Sequence, residues 1–327
     1  MSNKVLKPKK CSLCQFSQTY ANNPMKCVDF FFSMKWPTGF SCDRCDSHDY
    51  YIIKRIGKTK TSYVIECKNC HKQYSLLAGT VFQSCKLDLY KLLLGIFLFF
   101  NENKGISAID LCSYLDVNYK TALLLETKCR ILMSISNSHK LLESQFYEAD
   151  VFNIGSKSKN KAGRASEQQS VLGILSTNKE NKYPLYMKLR LIKDYTGESL
   201  KTNIEKYCIL SKNSILNTDG EKGFNILNEQ IQVKNEKINY EEKNHRLYWL
   251  NTIIGNIKNN ITGLYHGITK REMPLFINEQ EFRFNHRNTG NQMMNKVKEY
   301  LQESFPISHR QIVYILNISL PYFSVTC

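Results

Sequence analysis

The stretch FYEADVFNIG, Phe146–Gly155, decides the fold of this chain. It is short, rich in aromatic and β-branched residues, and followed by a loop rich in Gly, Ser and Lys, so it predicts a β-strand. Because side chains alternate along a strand, five residues are expected to share one face: Phe146, Glu148, Asp150, Phe152 and Ile154. Two carboxylates on an apolar face are costly to bury unless they are protonated, paired or bound to a cation.

A second acidic residue ends another short strand-like segment, SILNTDG, Ser214–Gly220. The strand runs directly into Asp219. If the two strands are neighbours, Asp150 and Asp219 each supply one carboxylate to a divalent-metal site. The alternative is that both acids lie at solvated strand ends, and the two segments alone leave this open.

Length and charge restrict the class of protein. The 327 residues are enough for two or three domains, and the formal net charge of +16 favours a polyanionic partner, either nucleic acid or an acidic membrane. Leu92–Phe100 is the longest apolar run, far shorter than the roughly 20 residues that cross a bilayer, and the polar, basic start MSNKVLKPKK does not resemble a secretory signal. We therefore expect a protein that is not secreted and that works in the nucleus of a eukaryote or the cytoplasm of a prokaryote.

The twelve cysteines include several CxxC pairs, which favours metal thiolates in a reducing compartment over disulfides. Two of these pairs are separated by 21 residues, enough for a hairpin, and their members are Cys42, Cys45, Cys67 and Cys70. Each pair can turn two thiolates towards one cation, so the spacing predicts a closed, structural Cys-four zinc ribbon. An earlier pair, Cys11 and Cys14, is either an accessory ligand pair or two ordinary thiols.

Residues 105–133 have the pattern of a helix-turn-helix, preceded by an apolar core helix at Leu87–Asn101. Ser107 with Asp110 fits the start of the first helix, and Asn118 fits the cap of a second helix, Tyr119–Met133. In DNA-binding versions of this motif, the first residues of the second helix enter the major groove, and here they are Tyr119, Lys120 and Thr121. The alternative is an ordinary helical hairpin.

From Phe146 onward the expected order is strand, strand, strand, helix, strand, helix, strand, helix. The later segments are Ser170–Ser176, Tyr183–Ile192, Glu198–Leu210, the Asp219 strand, Glu221–Glu229, Gln230–Glu236 and Leu247–Ile261. An α/β mixed sheet with acids on its first and fourth strands is the plan of ribonuclease-H-like nucleotidyl transferases, in which those strands are neighbours. The predicted domains are a zinc-ribbon region (1–80), a helix-turn-helix region (81–140), the ribonuclease-H-like domain (141–290) and a tail of unknown role (291–327).

Together, these motifs resemble the transposases of the Merlin DNA transposons and their bacterial insertion-sequence relatives with an ISXO-like catalytic domain. The matching pieces follow the family's order from about residue 30 to 287: WPTGFSCDRC, ECKNC with QYSLLAGTVFQSCKLDL, GISAIDLCSYLDVNYKTALLL, YEADVFNIG, GRASEQQSVLGI, NTDG, IGNIKNNITGLYH and EQEFRFNHR. The resemblance implies a protein that binds transposon ends, nicks them in a metal-dependent reaction and transfers the strand into target DNA.

The resemblance also implies roles for single residues. Asp150 is the first catalytic acid and Asp219 the second. The third position lies seven residues before Lys258, which places Asn251 where the Merlin group usually has Glu and some bacterial relatives have Asn. These three residues are implied to hold Mg²⁺ or Mn²⁺. The chain departs from the family at Val151, because the family usually has a second acid directly after the first. The family also usually has a His shortly before the third position, and the corresponding residue, His245, is displaced by one position.

The resemblance also implies two kinds of partner. One is double-stranded DNA, both the terminal inverted repeats of the transposon and the target. The other is further copies of the chain, in a homo-oligomer assembled on DNA. Lys258, Arg283 and Arg287 are the remaining candidates for phosphate contacts, against the alternatives of a solvated lysine and a salt-bridged helix surface. Glu241 and Glu242 are rivals of Asn251 for the third ligand position, although neither fits the spacing to Lys258. The alternative function is a domesticated or inactive transposase-derived DNA-binding protein; a structural zinc protein fits the positive charge poorly.

Overall fold

The structure, a computed structural model, describes residues 10–57, 61–137, 140–155, 168–178, 183–235, 237, 247–265 and 267–317. Two compact units are present. The first contains residues up to 135 together with 287–314, and the second contains residues 136–286 together with those from 315 onward. The predicted zinc-ribbon and helix-turn-helix regions therefore lie in the first unit. Among the described residues, no helix is long and apolar enough to cross a membrane.

The helices are α1 (Leu13–Tyr20), α2 (Pro24–Lys35), α3 (Leu89–Asn101), α4 (Ala108–Leu115), α5 (Tyr119–Asn137), α6 (Gly197–Tyr207), α7 (Tyr248–Gly263), α8 (Met273–Asn285), α9 (Met293–Glu303) and α10 (His309–Asn317). The strands are β1 (Tyr50–Ile56), β2 (Thr61–Cys67), β3 (Gln73–Ser75), β4 (Leu142–Glu143), β5 (Phe146–Ile154), β6 (Gln169–Thr177), β7 (Pro184–Ile192), β8 (Cys208–Ile209), β9 (Ile215–Thr218) and β10 (Gln232–Asn235). The predicted helix at 221–229 is a 3₁₀ helix, Lys222–Glu229.

In the first unit, β1, β2 and β3 form an antiparallel sheet, and the helices form an apolar core beside it. The sequence suggested no structure for the C-terminal residues, yet α9 is an amphipathic helix that packs on α2. Lys298 Nζ donates to Ser33 Oγ at 2.8 Å, and Gln302 Nε2 donates to the carbonyl oxygen of Met34 at 2.7 Å. A helix far along the chain thus completes the core of this unit.

The predicted helix-turn-helix is present as α4 and α5, separated by three residues. Ser107 Oγ accepts the N–H of Asp110 at 3.1 Å, and Asn118 Oδ1 accepts the N–H of Thr121 at 2.9 Å, which confirms both predicted caps. Asp116 closes the turn in the left-handed conformation, with φ at 48°. The second helix continues four residues past the predicted end because its apolar face continues to Ile135, which is buried.

The second unit is built on a mixed five-stranded sheet in the order β10-β9-β5-β6-β7. The central strand is β5, which is the first strand predicted for this domain. It pairs antiparallel with β6 and parallel with β9. The predicted order of elements is confirmed. The first and fourth of the predicted strands, β5 and β9, are neighbours, as expected for a ribonuclease-H-like domain.

Each face of this sheet is covered by helices, as the alternation of β5 requires. Phe152 and Ile154 lie in one apolar cluster with residues of α7 and α8. Tyr147 and Ala149 lie in the other cluster with residues of α6 and the 3₁₀ helix. Asp150, two residues from Phe152 along the strand, therefore lies on the α7 face of the sheet.

The outer edge of β7 is covered by side chains of α8 rather than by another strand. The amide of Asn285 both donates to the carbonyl oxygen of Met187 at 2.9 Å and accepts its N–H at 2.8 Å. Glu281 accepts the N–H of Leu189 at 3.0 Å. Three backbone groups in the middle of this edge are thus already hydrogen-bonded.

Candidate metal centres and nucleic-acid interface

The four predicted zinc ligands come together in the first unit. The Sγ atoms of Cys42, Cys45, Cys67 and Cys70 all lie within 4.8 Å of one another. The Cys42–Cys70 sulfur pair is 3.5 Å apart and the Cys45–Cys67 pair 3.6 Å. Four thiolates at about 2.3 Å from one Zn²⁺ need neighbouring sulfurs about 3.8 Å apart, so this donor set fits a structural zinc ion.

The two CxxC turns have the same backbone construction. Asp46 N–H donates to the Cys42 carbonyl at 2.9 Å, and His71 N–H donates to the Cys67 carbonyl at 3.1 Å. Asp46 and His71 both adopt the left-handed conformation, with φ of 53° and 56°. This reversal directly after each second cysteine lets both thiolates of a pair face the same point, and it explains why two distant pairs can share one cation.

The two predicted catalytic acids lie side by side at one end of the β5–β9 ladder. Ala149 is paired with Thr218 in this parallel ladder, so Asp150 and Asp219 are the next residues on the two strands. Gly220 follows with φ at +68°, a left-handed conformation that turns the chain away directly after Asp219. The topology thus brings together two carboxylates that are 69 positions apart in the sequence.

Both the surroundings and the neighbouring acid disfavour negative charge on Asp150. Burial raises the pKa of Asp150, and the negative charge of Asp219 raises it further. The N–H of Val151, which donates to Asp150 Oδ1 at 2.7 Å, and the positive charge of Lys258 lower it. A cation placed between the two carboxylates would offset their repulsion, so the acid pair fits a divalent metal ion.

Helix α7 contributes Asn251 and Lys258 to the same face of the sheet. The Nδ2 atom of Asn251 is buried and has no hydrogen-bond partner within the described parts of the chain. The other atom of this amide, the carbonyl oxygen, is a ligand type that Mg²⁺ and Mn²⁺ accept. Lys258 is exposed, and its Nζ lies 5.8 Å from the centre of the Phe152 ring. Asn251 and Lys258 are seven residues apart, which is about two helical turns, so their side chains lie on the same side of α7.

Glu148 is a residue of this region to which sequence reasoning assigned no role. Its side chain is fully buried, and its Oε2 accepts the N–H of Leu250 at 2.8 Å. Burial raises its pKa to about 8, although the hydrogen bond from Leu250 acts in the opposite direction. The signal in the sequence was its position on the apolar face of β5, but its partner could be found only from the fold.

The predicted DNA-contacting residues of α5 differ in their surroundings. Tyr119 is 51% exposed and Lys120 is exposed, as a groove contact requires. Thr121 is half-buried, and its hydroxyl donates to Asn118 Oδ1 at 3.0 Å as part of the helix cap. The geometry is compatible with DNA binding through the first two residues.

Arg283 does not have the surroundings of a phosphate-binding residue. Its side chain is only 7% exposed, and its Nε donates to Glu279 Oε1 at 2.8 Å. Arg287, the other arginine predicted to contact phosphate, lies beyond the end of α8 and belongs to the first unit, so the two arginines do not share a helix. The salt-bridged alternative describes Arg283 better.

His245, Glu241 and Glu242 lie outside the described residues.

Comparison with known proteins agrees with this architecture. The family model of the ISXO2-like transposase domain matches residues 145–285, and the model of the transposase zinc-ribbon domain matches residues 23–73. An uncharacterized protein in transposable element ISH50 of Halobacterium salinarum is 25% identical over 96 residues, which are 29% of this chain. The match spans 31% of that relative's length.

The fold and the cysteine cluster define a zinc-ribbon protein with a ribonuclease-H-like α/β domain. The two matched domains occur in the order that the motifs predicted. The chain thus contains a segment similar to the transposase zinc-ribbon domain, followed by a segment similar to the ISXO2-like transposase domain. The resemblance drawn from the sequence is thereby confirmed.

Proposed function

We propose that this protein is a DNA transposase that binds transposon ends, nicks them and joins the released 3′ hydroxyl to target DNA. The observation that carries the proposal is the parallel pairing of β5 with β9, which sets Asp150 beside Asp219. The matched ISXO2-like domain covers both strands and α7. The positive charge of +16 suits a polyanionic substrate.

In this proposal Asp150, Asp219 and Asn251 hold Mg²⁺ or Mn²⁺. When bound, two such ions activate the attacking oxygen and stabilise the departing oxygen of an in-line displacement at phosphorus. Asp150 and Asp219 supply the negative charge of the site, and Asn251 supplies a neutral amide oxygen. Lys258, exposed on the same side of α7, binds a phosphate of the transposon end.

The reaction has two displacements of the same kind. In the first, water attacks a phosphodiester at the transposon end, and the bond from phosphorus to the 3′ oxygen breaks, leaving a 3′ hydroxyl. In the second, this hydroxyl attacks a phosphodiester of the target and displaces its 3′ oxygen. The helix-turn-helix, through Tyr119 and Lys120, selects the end, and copies of the chain assemble on the DNA.

A second candidate function is DNA binding without cleavage, in a domesticated or inactive copy. The observation that favours it is Asn251, which leaves two formal negative charges at the site where three are usual in Merlin-type transposases. The two candidates predict the same DNA affinity but different chemistry.

The test uses purified full-length protein and a plasmid that carries the DNA flanking the gene on both sides. Transposition chemistry predicts nicks at defined positions with Mg²⁺ or Mn²⁺, and none with Asp150→Asn or Asp219→Asn. Gel-shift measurements check that these variants still bind the flanking DNA. Retained binding by the wild-type protein without any nicking would favour the DNA-binding function instead.

A further inference from the structure

Glu148 occupies an unusual position for a carboxylate. It lies on β5 two residues before Asp150, on the face covered by α7, and its side chain is fully buried. One oxygen, Oε2, accepts the N–H of Leu250 at 2.8 Å. Within the described residues the other oxygen, Oε1, has no hydrogen-bond partner. A group this costly to bury calls for a reason beyond filling space, because an apolar side chain would fill it at lower cost.

The reason lies in the start of α7. The helix begins after Leu247, which provides no side-chain cap, so the first N–H groups lack partners within the helix. Leu250 is the third residue of α7, the position whose N–H a capping side chain normally binds. Glu148 provides this acceptor from the neighbouring strand, and the N-terminal end of the helix dipole favours an acidic group there.

The side chain of Leu250 is anchored as well. Gly173 lies opposite Asp150 in the β5–β6 ladder, and a β-carbon on Gly173 would lie 3.2 Å from Leu250 Cδ1. Both the backbone and the side chain of Leu250 are therefore fixed against the sheet beside Asp150. The next residue of the helix is Asn251.

We propose that Glu148 is a positioning residue, whose hydrogen bond to the Leu250 N–H fixes the first turn of α7 on β5 and thereby sets the amide of Asn251 at the Asp150–Asp219 pair. The inference rests on the proposed function, because it assigns Glu148 a role through the third metal ligand. The part of Glu148 in this inference is the hydrogen bond of its Oε2 to the helix, not the binding of the metal ion.

Two substitutions separate the hydrogen bond from the packing. Glu148→Gln keeps a side-chain oxygen that can accept the Leu250 N–H, whereas Glu148→Leu fills similar space without an acceptor. Three properties are measured on each full-length variant: amide hydrogen exchange in the first turn of α7, Mn²⁺ affinity by electron paramagnetic resonance, and nicking of the flanking-DNA plasmid. Ile204→Val, which trims the apolar cluster on the opposite face of the sheet, is the control for a general loss of stability.

We expect Glu148→Gln to keep slow exchange, with Mn²⁺ affinity and nicking within about threefold of wild type. Glu148→Leu should speed exchange in this turn and lower Mn²⁺ affinity and nicking about tenfold, a loss of about 1.4 kcal/mol in binding free energy. In an Asn251→Ala background, Glu148→Leu should cause no further loss of Mn²⁺ affinity, because the two residues act through one ligand. Ile204→Val should retain all three properties.

Normal exchange and Mn²⁺ affinity in Glu148→Leu would overturn the inference, and so would a Gln variant as impaired as the Leu variant. Losses that add in the Asn251→Ala background would also overturn it, because they would show that Glu148 acts independently of Asn251. Failure of the proposed function looks different: the wild type would not nick DNA, or Asp150→Asn would nick equally well. Exchange and Mn²⁺ affinity would still decide the role of Glu148 in that case.

Discussion

The side chain of Leu250, on α7, packs closely on Gly173 of β6. A β-carbon on Gly173 would lie 3.2 Å from both Leu250 Cδ1 and Phe152 Cε1. This close approach sets the distance between α7, which carries Asn251, and the strands that carry the two acids. The proposed metal site therefore requires a residue without a side chain at position 173.

Gly173→Val should therefore push α7 away from the sheet. Overpacking of this kind costs about 1–3 kcal/mol, so the free energy of unfolding should fall by that amount in denaturant titrations. The control is Gly255→Ala on α7, where an added β-carbon meets nothing within 4 Å. That variant should gain about 0.5–1 kcal/mol, because Ala favours the helix over Gly. Equal stability of both variants would contradict the close packing.

The zinc ribbon should hold one Zn²⁺ and depend on it for folding. Cys42→Ser or Cys70→Ser should lower the zinc content and solubility, because binding energies of such sites, about 10–16 kcal/mol, are comparable with the stability of a whole domain. Zinc is measured by elemental analysis after gentle purification. Cys14→Ser, a change to an exposed thiol outside the cluster, should leave it unchanged. A zinc loss in that variant would make Cys14 an accessory ligand, and zinc-free wild-type protein would refute the ribbon.

Arg283 should matter for stability rather than for DNA affinity. Its partner Glu279 is fully buried, so Arg283→Ala leaves an uncompensated charge and should cost about 3–5 kcal/mol of unfolding free energy. Lys258→Ala provides the comparison. The Lys258 side chain is exposed, so its removal should weaken DNA binding with little change in the free energy of unfolding. Denaturant unfolding and DNA titration of both variants check this. Weak DNA binding by a fully stable Arg283→Ala would restore Arg283 as a candidate for phosphate contacts.

DNA affinity should depend strongly on salt. If about six Lys or Arg side chains neutralise phosphates, the logarithm of the affinity should fall against the logarithm of salt concentration with a slope near −5. Lys120→Ala should reduce the preference for the flanking DNA over a random duplex, because Lys120 is exposed at the start of α5. Fluorescence titration at several salt concentrations measures both effects. A slope near zero would exclude phosphate-dominated binding.

Substitution of Asn251 should affect the catalytic chemistry directly. Asn251→Ala should abolish metal-dependent nicking as Asp150→Ala does, whereas Asn251→Glu should preserve or raise metal affinity because it adds a negative charge. Mn²⁺ should support more activity than Mg²⁺, since its geometric demands are weaker. Full activity of Asn251→Ala would place the third ligand elsewhere, and loss of activity in Glu242→Ala would then identify it.

Local patterns carried much of the prediction. The spacing of the four cysteines, the caps at Ser107 and Asn118, and the alternation of β5 all depend on residues close together in the chain, where backbone geometry leaves few choices. The sequence could not assign α9, because its partners in α2 lie more than 260 residues away. Nor could it separate a phosphate-binding Arg283 from a salt-bridged one, because the difference is the burial of Glu279.

The sequence by itself determined the zinc ribbon, the helix-turn-helix and the order of strands, because each is written in short-range spacing and periodicity. Only the tertiary structure decided which polar groups of the second unit meet. Parallel pairing of β5 with β9 joins Asp150 to Asp219, and the packing of Leu250 on Gly173 brings α7 to the same place. Glu148 Oε2 accepts the N–H of Leu250, a residue 102 positions further along the chain. Contacts over such separations follow from strand register and helix packing, which no local pattern specifies.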